Sequence, residues 1–150
     1  DLIADLRSEH VDRLVAILED EFYIEPTQVR EAILSQSSFN LIHQLTMFKV
    51  DIFVPKTREF EHSQLSRRVE IEVLERPSKR AWISSAEDTI LAKLEWYKLG
   101  GEVSERQWRD VLGVLKVQEG RLDFDYLERM AKAMKIDTLL SMAVGEAGKS

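Results

Sequence analysis

The residue type best suited to chemistry is a carboxylate, and Asp51 stands in the strand-like run Lys49-Val50-Asp51-Ile52-Phe53-Val54. Hard oxygen donors of this kind hold Mg²⁺, which binds one or two protein carboxylates and completes its shell with water and substrate phosphates. Another acid opens the chain, where Asp1-Leu2-Ile3-Ala4-Asp5-Leu6 reads as a short strand entered midway. Two carboxylates on adjacent strands could share one metal, because sheet geometry fixes their separation. By alternation Asp5 lies on the side of Asp1, near the strand end, and is the weaker ligand candidate. The plainer alternative for Asp51 is a polar residue on the wet face of an antiparallel sheet. For Asp1 it is a solvated chain end whose ammonium group competes with any metal.

The elements that must position these residues are legible from periodicity. Ser8 precedes Val11, Leu14, Val15 and Leu18, the stripe of an amphipathic helix. Glu25-Pro26-Thr27 breaks that pattern, with Thr27 expected to cap a short helix through Leu34. From Phe39 the period becomes two, with Phe39, Leu41, His43 and Leu45 on one side and Asn40, Ile42 and Gln44 on the other. A tight connection near Thr46-Met47 leads back into the strand of Asp51, and Pro55 ends it. Residues 59–68 suit a helix, and Val69, Ile71 and Val73 a further strand. Arg76-Pro77-Ser78-Lys79 suits a turn, and Ala81-Trp82-Ile83 a return strand.

After Ser84 the pattern turns helical. Ser85 with Asp88 three residues on resembles a capping box, and Ile90, Leu94 and Tyr97 carry the stripe of a helix that Gly100-Gly101 stops. Ser104 starts the next, with Trp108, Val111, Leu112 and Leu115 in register, and Asp123 opens a third to about Lys135. Gly145 to Ser150 reads as a frayed end. The expected fold class is therefore α/β in the α+β sense: residues 1–83 form a mixed sheet with flanking helices, and residues 84–150 a helical region packed on it.

An acidic strand, then helices, then a hairpin bearing a lone Asp resembles the nucleotidyltransferase superfamily, the polymerase-beta-like enzymes. There the first strand carries Asp-x-Asp after a Gly-Ser turn, and a later strand carries the third Asp. The resemblance implies that Asp1 is the second acid of the pair and Asp51 the third, both ligating Mg²⁺ or Mn²⁺. The chain, lacking an initiator Met and starting inside a strand, then reads as the continuation of a longer one.

Ser85-Ala86-Glu87-Asp88-Thr89-Ile90-Leu91-Ala92-Lys93-Leu94 with Arg106-Gln107-Trp108-Arg109-Asp110-Val111 is similar to the helical region of AbiEii-type nucleotidyltransferases, which include toxins of toxin–antitoxin pairs. This resemblance implies that Lys93 binds the nucleotide triphosphate at a cleft shared with Asp51, and that Asp110 acts as a base or as the partner of that lysine. Read by position alone, Lys93 lies at the edge of an apolar stripe, where lysines commonly snorkel outward. Asp110 lies opposite the Trp108-Leu112-Leu115 stripe, on the side of Gly113, Val114 and Val117. That pattern suits either a sandwiched helix or a surface pair with Arg106.

Composition narrows the classes. A net charge of −6 over 150 residues argues against a general nucleic-acid coat or a membrane-surface protein. Zero cysteines exclude a disulfide scaffold, a thiolate zinc site and a thiol nucleophile, and suit a cytoplasmic setting. No stretch is long enough to span a bilayer. His10, His43 and His62 lack zinc-binding spacing, and no Walker loop, Gly-x-Gly-x-x-Gly or Gly-x-Ser-x-Gly occurs. Arg67, Arg68, Arg76, Lys79 and Arg80 form the one basic concentration, which suits a solvated hairpin or a triphosphate or RNA contact.

The function expected is Mg²⁺-dependent transfer of a nucleotidyl group from an NTP to RNA such as tRNA, a protein or a small molecule. The alternative is a non-catalytic interaction or regulatory module of the same fold. Either is compatible with a homo-oligomer or a cognate protein partner, and neither needs a membrane.

Overall fold

A computed structural model of the protein describes residues 1–73 and 79–148, so most of the turn expected at Arg76-Pro77-Ser78-Lys79 lies outside the described residues. Helices and strands are both well represented, an α+β architecture. The chain divides into two compact units, Asp1–His62 and Ser63–Ser150. No helix among the described residues is long and apolar enough to cross a membrane.

The first unit is built on a four-stranded sheet, β1 (Leu2–Ile3), β2 (Phe22–Tyr23), β3 (Ser38–His43) and β4 (Lys49–Phe53), in spatial order β1-β4-β3-β2. β1 runs parallel to β4, while β3 is antiparallel to both of its neighbours. Two helices, α1 (Val11–Leu18) and α2 (Pro26–Ser35), supply the rest of the core, in which Val11, Val29 and Ala32 meet Ile24, Phe39, Leu41, Ile52 and Val54. Burying each such aliphatic side chain stabilises the fold by roughly 1.5–3 kcal/mol. α1 starts from a 3₁₀ turn, Ser8–His10, and its Leu14, Val15 and Leu18 pack against the core as their spacing predicts.

Local chemistry revises two expectations and adds a strand that the sequence reading did not have. The cap of α2 is Glu25, whose carboxylate accepts from the Thr27 amide at 3.2 Å, while Pro26 occupies the first turn, where a missing N–H costs nothing. β2 is only two residues long and too short to show a period. Leu45 does not continue the inward row of β3. The strand stops at His43, whose amide donates to Phe48 O at 2.8 Å and whose Nδ1 lies 2.8 Å from Thr46 Oγ1, with Met47 at φ 58°. That turn leaves Leu45 90% exposed.

α3 (Glu59–Ser66) crosses the boundary between the units. The second unit begins with a two-stranded antiparallel hairpin, β5 (Val69–Val73) and β6 (Lys79–Ile83), in which Ile71 faces Ala81 and Glu70 faces Trp82. Four helices follow: α4 (Ala86–Leu99), α5 (Glu105–Val117), α6 (Phe124–Ala133) and α7 (Asp137–Ala147). Ser85, Ser104 and Asp123 cap α4, α5 and α6, each side chain accepting from the amide three residues on, at 3.1, 3.5 and 3.0 Å. Gly100 caps α4 and Gly101 adopts φ 77°, a left-handed conformation that lets α5 turn back to pack on α4. Ile90, Leu91, Leu94, Val111, Leu127, Met130 and Leu140 fill the interior. α7 replaces the frayed end read from the sequence, and it is held by buried Leu139, Leu140 and Ala143 although Gly145 sits within it.

Candidate functional site

In the first unit the pairing of β1 with β4 decides where the acids fall. Leu2 lies opposite Ile52 and Ile3 opposite Phe53, so one step back along the same parallel register sets Asp1 beside Asp51. Paired residues share a sheet face, and this one is opposite to the face on which Ile52 and Leu41 are buried. On the other flank Asn40 lies directly opposite Asp51, so these two oxygen-bearing side chains share a face across β3 and β4, with Asp1 one residue before the start of β1. Alternation alone had put Asn40 on the side away from Phe39 and Leu41, but only the hairpin register puts it opposite Asp51. Asp5 lies past the end of β1 and is exposed.

This face is not electrostatically bare. Lys49, two residues from Asp51 and hence on the same face, brings its Nζ to 3.1 Å from Asp51 Oδ1. Among the described residues no group of three or more His, Cys, Asp or Glu side chains is placed to hold a metal ion. The donor set is thus two carboxylates and an amide. All are hard oxygen ligands, and that set suits Mg²⁺ where substrate phosphates complete the shell. The histidines take no part, since His10 accepts from the Arg7 amide and His43 shapes the β3–β4 turn.

In the second unit Lys93 and Asp110 meet. Lys93 follows the buried Ile90, Leu91 and precedes Leu94 on α4, yet its ammonium turns along the surface to α5. There Nζ lies 2.7 Å from Asp110 Oδ2 and 3.4 Å from Gln107 Oε1. The hydrogen bond from Lys93, then the lysine's charge, hold the Asp110 carboxyl below its ordinary range, with Arg106 and Arg109 adding to the effect and burial opposing it weakly. A carboxylate so stabilised is a poor proton acceptor. The geometry therefore favours partner over base, the two roles that the resemblance had left open, and it replaces both outward snorkelling of Lys93 and a simple Arg106–Asp110 pair.

The pair borders an open groove of about 380 Å³ along α5, whose walls include Arg109, Gly113, Val114 and Val117. Val117 is 76% exposed, so α5 is not sandwiched on this side, as its second apolar row had suggested.

A third polar constellation was not read from the sequence at all. Arg67, counted there with a solvated basic hairpin, instead lies 3.9 Å over the ring of Tyr126 and 3.5 Å from Glu87 Oε2, with Asp88 and Asp123 each at 3.9 Å. Asp88 is fully buried, takes a 2.6 Å hydrogen bond from the Tyr126 hydroxyl and one of 2.9 Å from Ser85 Oγ. Burial and the Asp88 bond push the Tyr126 hydroxyl up to about 12. Burial raises Glu87 too, but hydrogen bonds from the Asp123 and Glu87 amides and from Ser85, with the charge of Arg67, outweigh it and leave its pKa lowered. The group locks the starts of α4 and α6 to the segment after α3. Helical caps at Ser85 and Asp123 were visible one by one; that a single arginine serves both depends on long-range packing.

No family model matches the chain, and no curated protein or solved structure shows a significant match to it.

Proposed function

We propose that the protein is a Mg²⁺-dependent nucleotidyltransferase of AbiEii type, transferring a nucleotidyl group from an NTP to RNA, a protein or a small molecule. The observation that supports the reading is the parallel pairing of β1 with β4, because that register, continued one residue beyond Leu2 and Ile52, would bring Asp1 next to Asp51, and adjacent carboxylates on one sheet face are what a shared metal requires. The bound Mg²⁺ or Mn²⁺ supplies charge neutralisation at the phosphates. Asp1 and Asp51 would hold it, with Asn40 as a further oxygen donor. Within the second unit, Asp110 pins the Lys93 ammonium at the surface, where it is open to phosphate oxygens of a nucleotide. In the reaction an acceptor hydroxyl oxygen attacks the α-phosphorus and releases its proton to water, the bond to the bridging oxygen breaks, and pyrophosphate leaves with that electron pair. The cysteine-free composition suits a cytoplasmic setting, as one half of a paired toxin–antitoxin system.

The second reading is a non-catalytic module of the same fold, and the Lys49–Asp51 ion pair favours it, since that contact already satisfies the acid without metal. Calorimetric titration of the full-length protein with Mg-NTP, paired with a transfer assay using labelled NTP, separates the two. An enzyme binds and labels an acceptor, and Asp51→Asn abolishes labelling. Absence of binding by a folded wild type leaves the module.

A further inference from the structure

Lys49 and Asp51 stand two residues apart on β4, so both side chains leave the sheet on the face opposite the buried Ile52. Lys49 Nζ lies 3.1 Å from Asp51 Oδ1, with the lysine side chain 56% exposed and the aspartate 35%. Among the described residues no other side chain bonds to that carboxylate, and across the ladder Asp51 faces Asn40 while Lys49 faces the aliphatic Ile42. An ion pair this exposed contributes little to stability, because water solvates either group once they part, so the contact is exchangeable. The flexible four-carbon stem of the lysine lets the ammonium move while the backbone of β4 stays paired.

A divalent ion is the competitor that matters here. Mg²⁺ takes carboxylate oxygen at about 2.1 Å, so an ion on Oδ1 would stand no more than about 5 Å from an ammonium still bound to that oxygen. At that range two cations beside one carboxylate repel each other, and the one on the flexible stem gives way.

We propose that Lys49 competes with a divalent metal for Asp51 and that the displaced ammonium then binds phosphate oxygens carried by the metal. The proposal rests on the metal-dependent reading and adds to it a coupling between metal and phosphate. It uses Asp51 alone among the candidate ligands, and every group in it belongs to the first unit. Without phosphate the lysine opposes the metal, because both need one carboxylate. With phosphate the lysine supports it, because the negative oxygens arrive beside a cation that has just lost its partner. Metal and phosphate therefore bind with positive cooperativity, and the coupling is the same in both directions. The consequence is a site that disfavours bare metal and takes it together with the substrate's phosphates.

The test measures binding of Mn²⁺ alone and of the preformed Mn²⁺–tripolyphosphate complex by calorimetry, in the full-length wild type, Lys49→Met, Lys49→Gln and Asp51→Asn. Thermal unfolding checks each fold, and the two neutral replacements of this exposed lysine back each other up. The expected result is a reversal of sign: both neutral variants bind Mn²⁺ at least threefold more tightly than wild type and the complex at least threefold more weakly. Asp51→Asn should weaken Mn²⁺ at least tenfold. A merely structural lysine would not change the sign of its effect with the ligand. If the neutral variants shift both affinities in one direction, or neither, while Asp51→Asn still weakens Mn²⁺, the coupling is overturned and the metal-dependent reading stands. Mn²⁺ affinity unchanged in folded Asp51→Asn, or absent from the wild type and both neutral variants, overturns both.

Discussion

The second unit carries two clusters in which a cation meets carboxylates, and they differ in burial. Around Arg67, whose own side chain is 32% exposed, two of the three acids are withdrawn from water, Asp88 fully buried and Glu87 nearly so, while Asp123 is 51% exposed. Around Lys93 the partners are partly exposed, the lysine side chain at 28% and Asp110 at 41%. Removing water raises the stakes of every charge, because an unpaired buried ion loses its solvation without compensation, whereas an exposed one is rehydrated and screened. The buried acids Asp88 and Glu87 therefore belong to the fold, while the Lys93–Asp110 pair lies where water can reach it. Perturbed ionisation does not separate them, since Glu87 and Asp110 are both lowered; the burial of Asp88 and Glu87 does.

The sharpest way to break this comparison is to remove one member of the buried cluster. Arg67→Ala leaves Glu87 and Asp88 without their cation, and Asp88→Ala strands Arg67 and Tyr126 together. Each should destabilise the protein by about 3–5 kcal/mol, read as a lower urea midpoint. A loss below 1 kcal/mol in both would show that the cluster is as dispensable as a surface pair.

Ionisation offers the next largest effect, with opposite signs at the two ends of the pH scale. The Tyr126 hydroxyl is raised to about 12 in the folded protein, so its contribution is complete below about pH 10 and is lost as pH rises toward 12. Ultraviolet difference titration should show one tyrosine ionising late, and Tyr126→Phe should abolish that step. Glu87 is lowered, so its contribution is present above its ordinary value of 4.5 and is lost as pH falls through the lower folded value. Glu87→Gln should flatten the acid limb of a stability–pH curve. An unchanged limb would place the acid sensitivity elsewhere.

How much of this was visible in the sequence follows from the range of the interactions. Caps such as Ser85, Ser104 and Asp123 depend on residues three positions apart, and the strand of Asp51 on alternation over six, so both were legible. The failures came where distant packing overrides local pattern: α7 forms around buried Leu139 and Leu140 despite Gly145, and Leu45 leaves its row because the His43–Thr46 contact turns the chain. Arg67 is the clearest case. Beside Arg68 it looks like one more surface cation, and only the meeting of α4 and α6 turns it inward. Lys93 and Asp110 were joined through the family resemblance, since no helical period links residues on different helices.

Gly113→Ala sharpens the comparison from the exposed side. Its Cβ meets nothing and its backbone is helical, so the substitution should raise stability by up to about 1 kcal/mol. Destabilisation would mean that α5 is packed there after all.

The smallest expected effect on stability is that of Lys93→Ala, and it is the most discriminating because a functional and a structural lysine diverge there. The side chain crosses from α4 to α5 through one partly exposed ion pair and a longer contact to Gln107, while Ile90, Leu91 and Leu94 carry the burial of α4. Losing such a pair should change stability by no more than about 0.5 kcal/mol, with any residual effect fading in salt as screening replaces the lysine. Asp110 should respond in a measurable way: with its principal hydrogen-bond donor gone, its carboxyl should titrate at higher pH in the variant, followed by carbon NMR of the labelled side chain. A large loss of stability would put the pair with the Arg67 cluster as part of the fold. An unmoved Asp110 titration would mean that Arg106 and Arg109, rather than Lys93, set its charge.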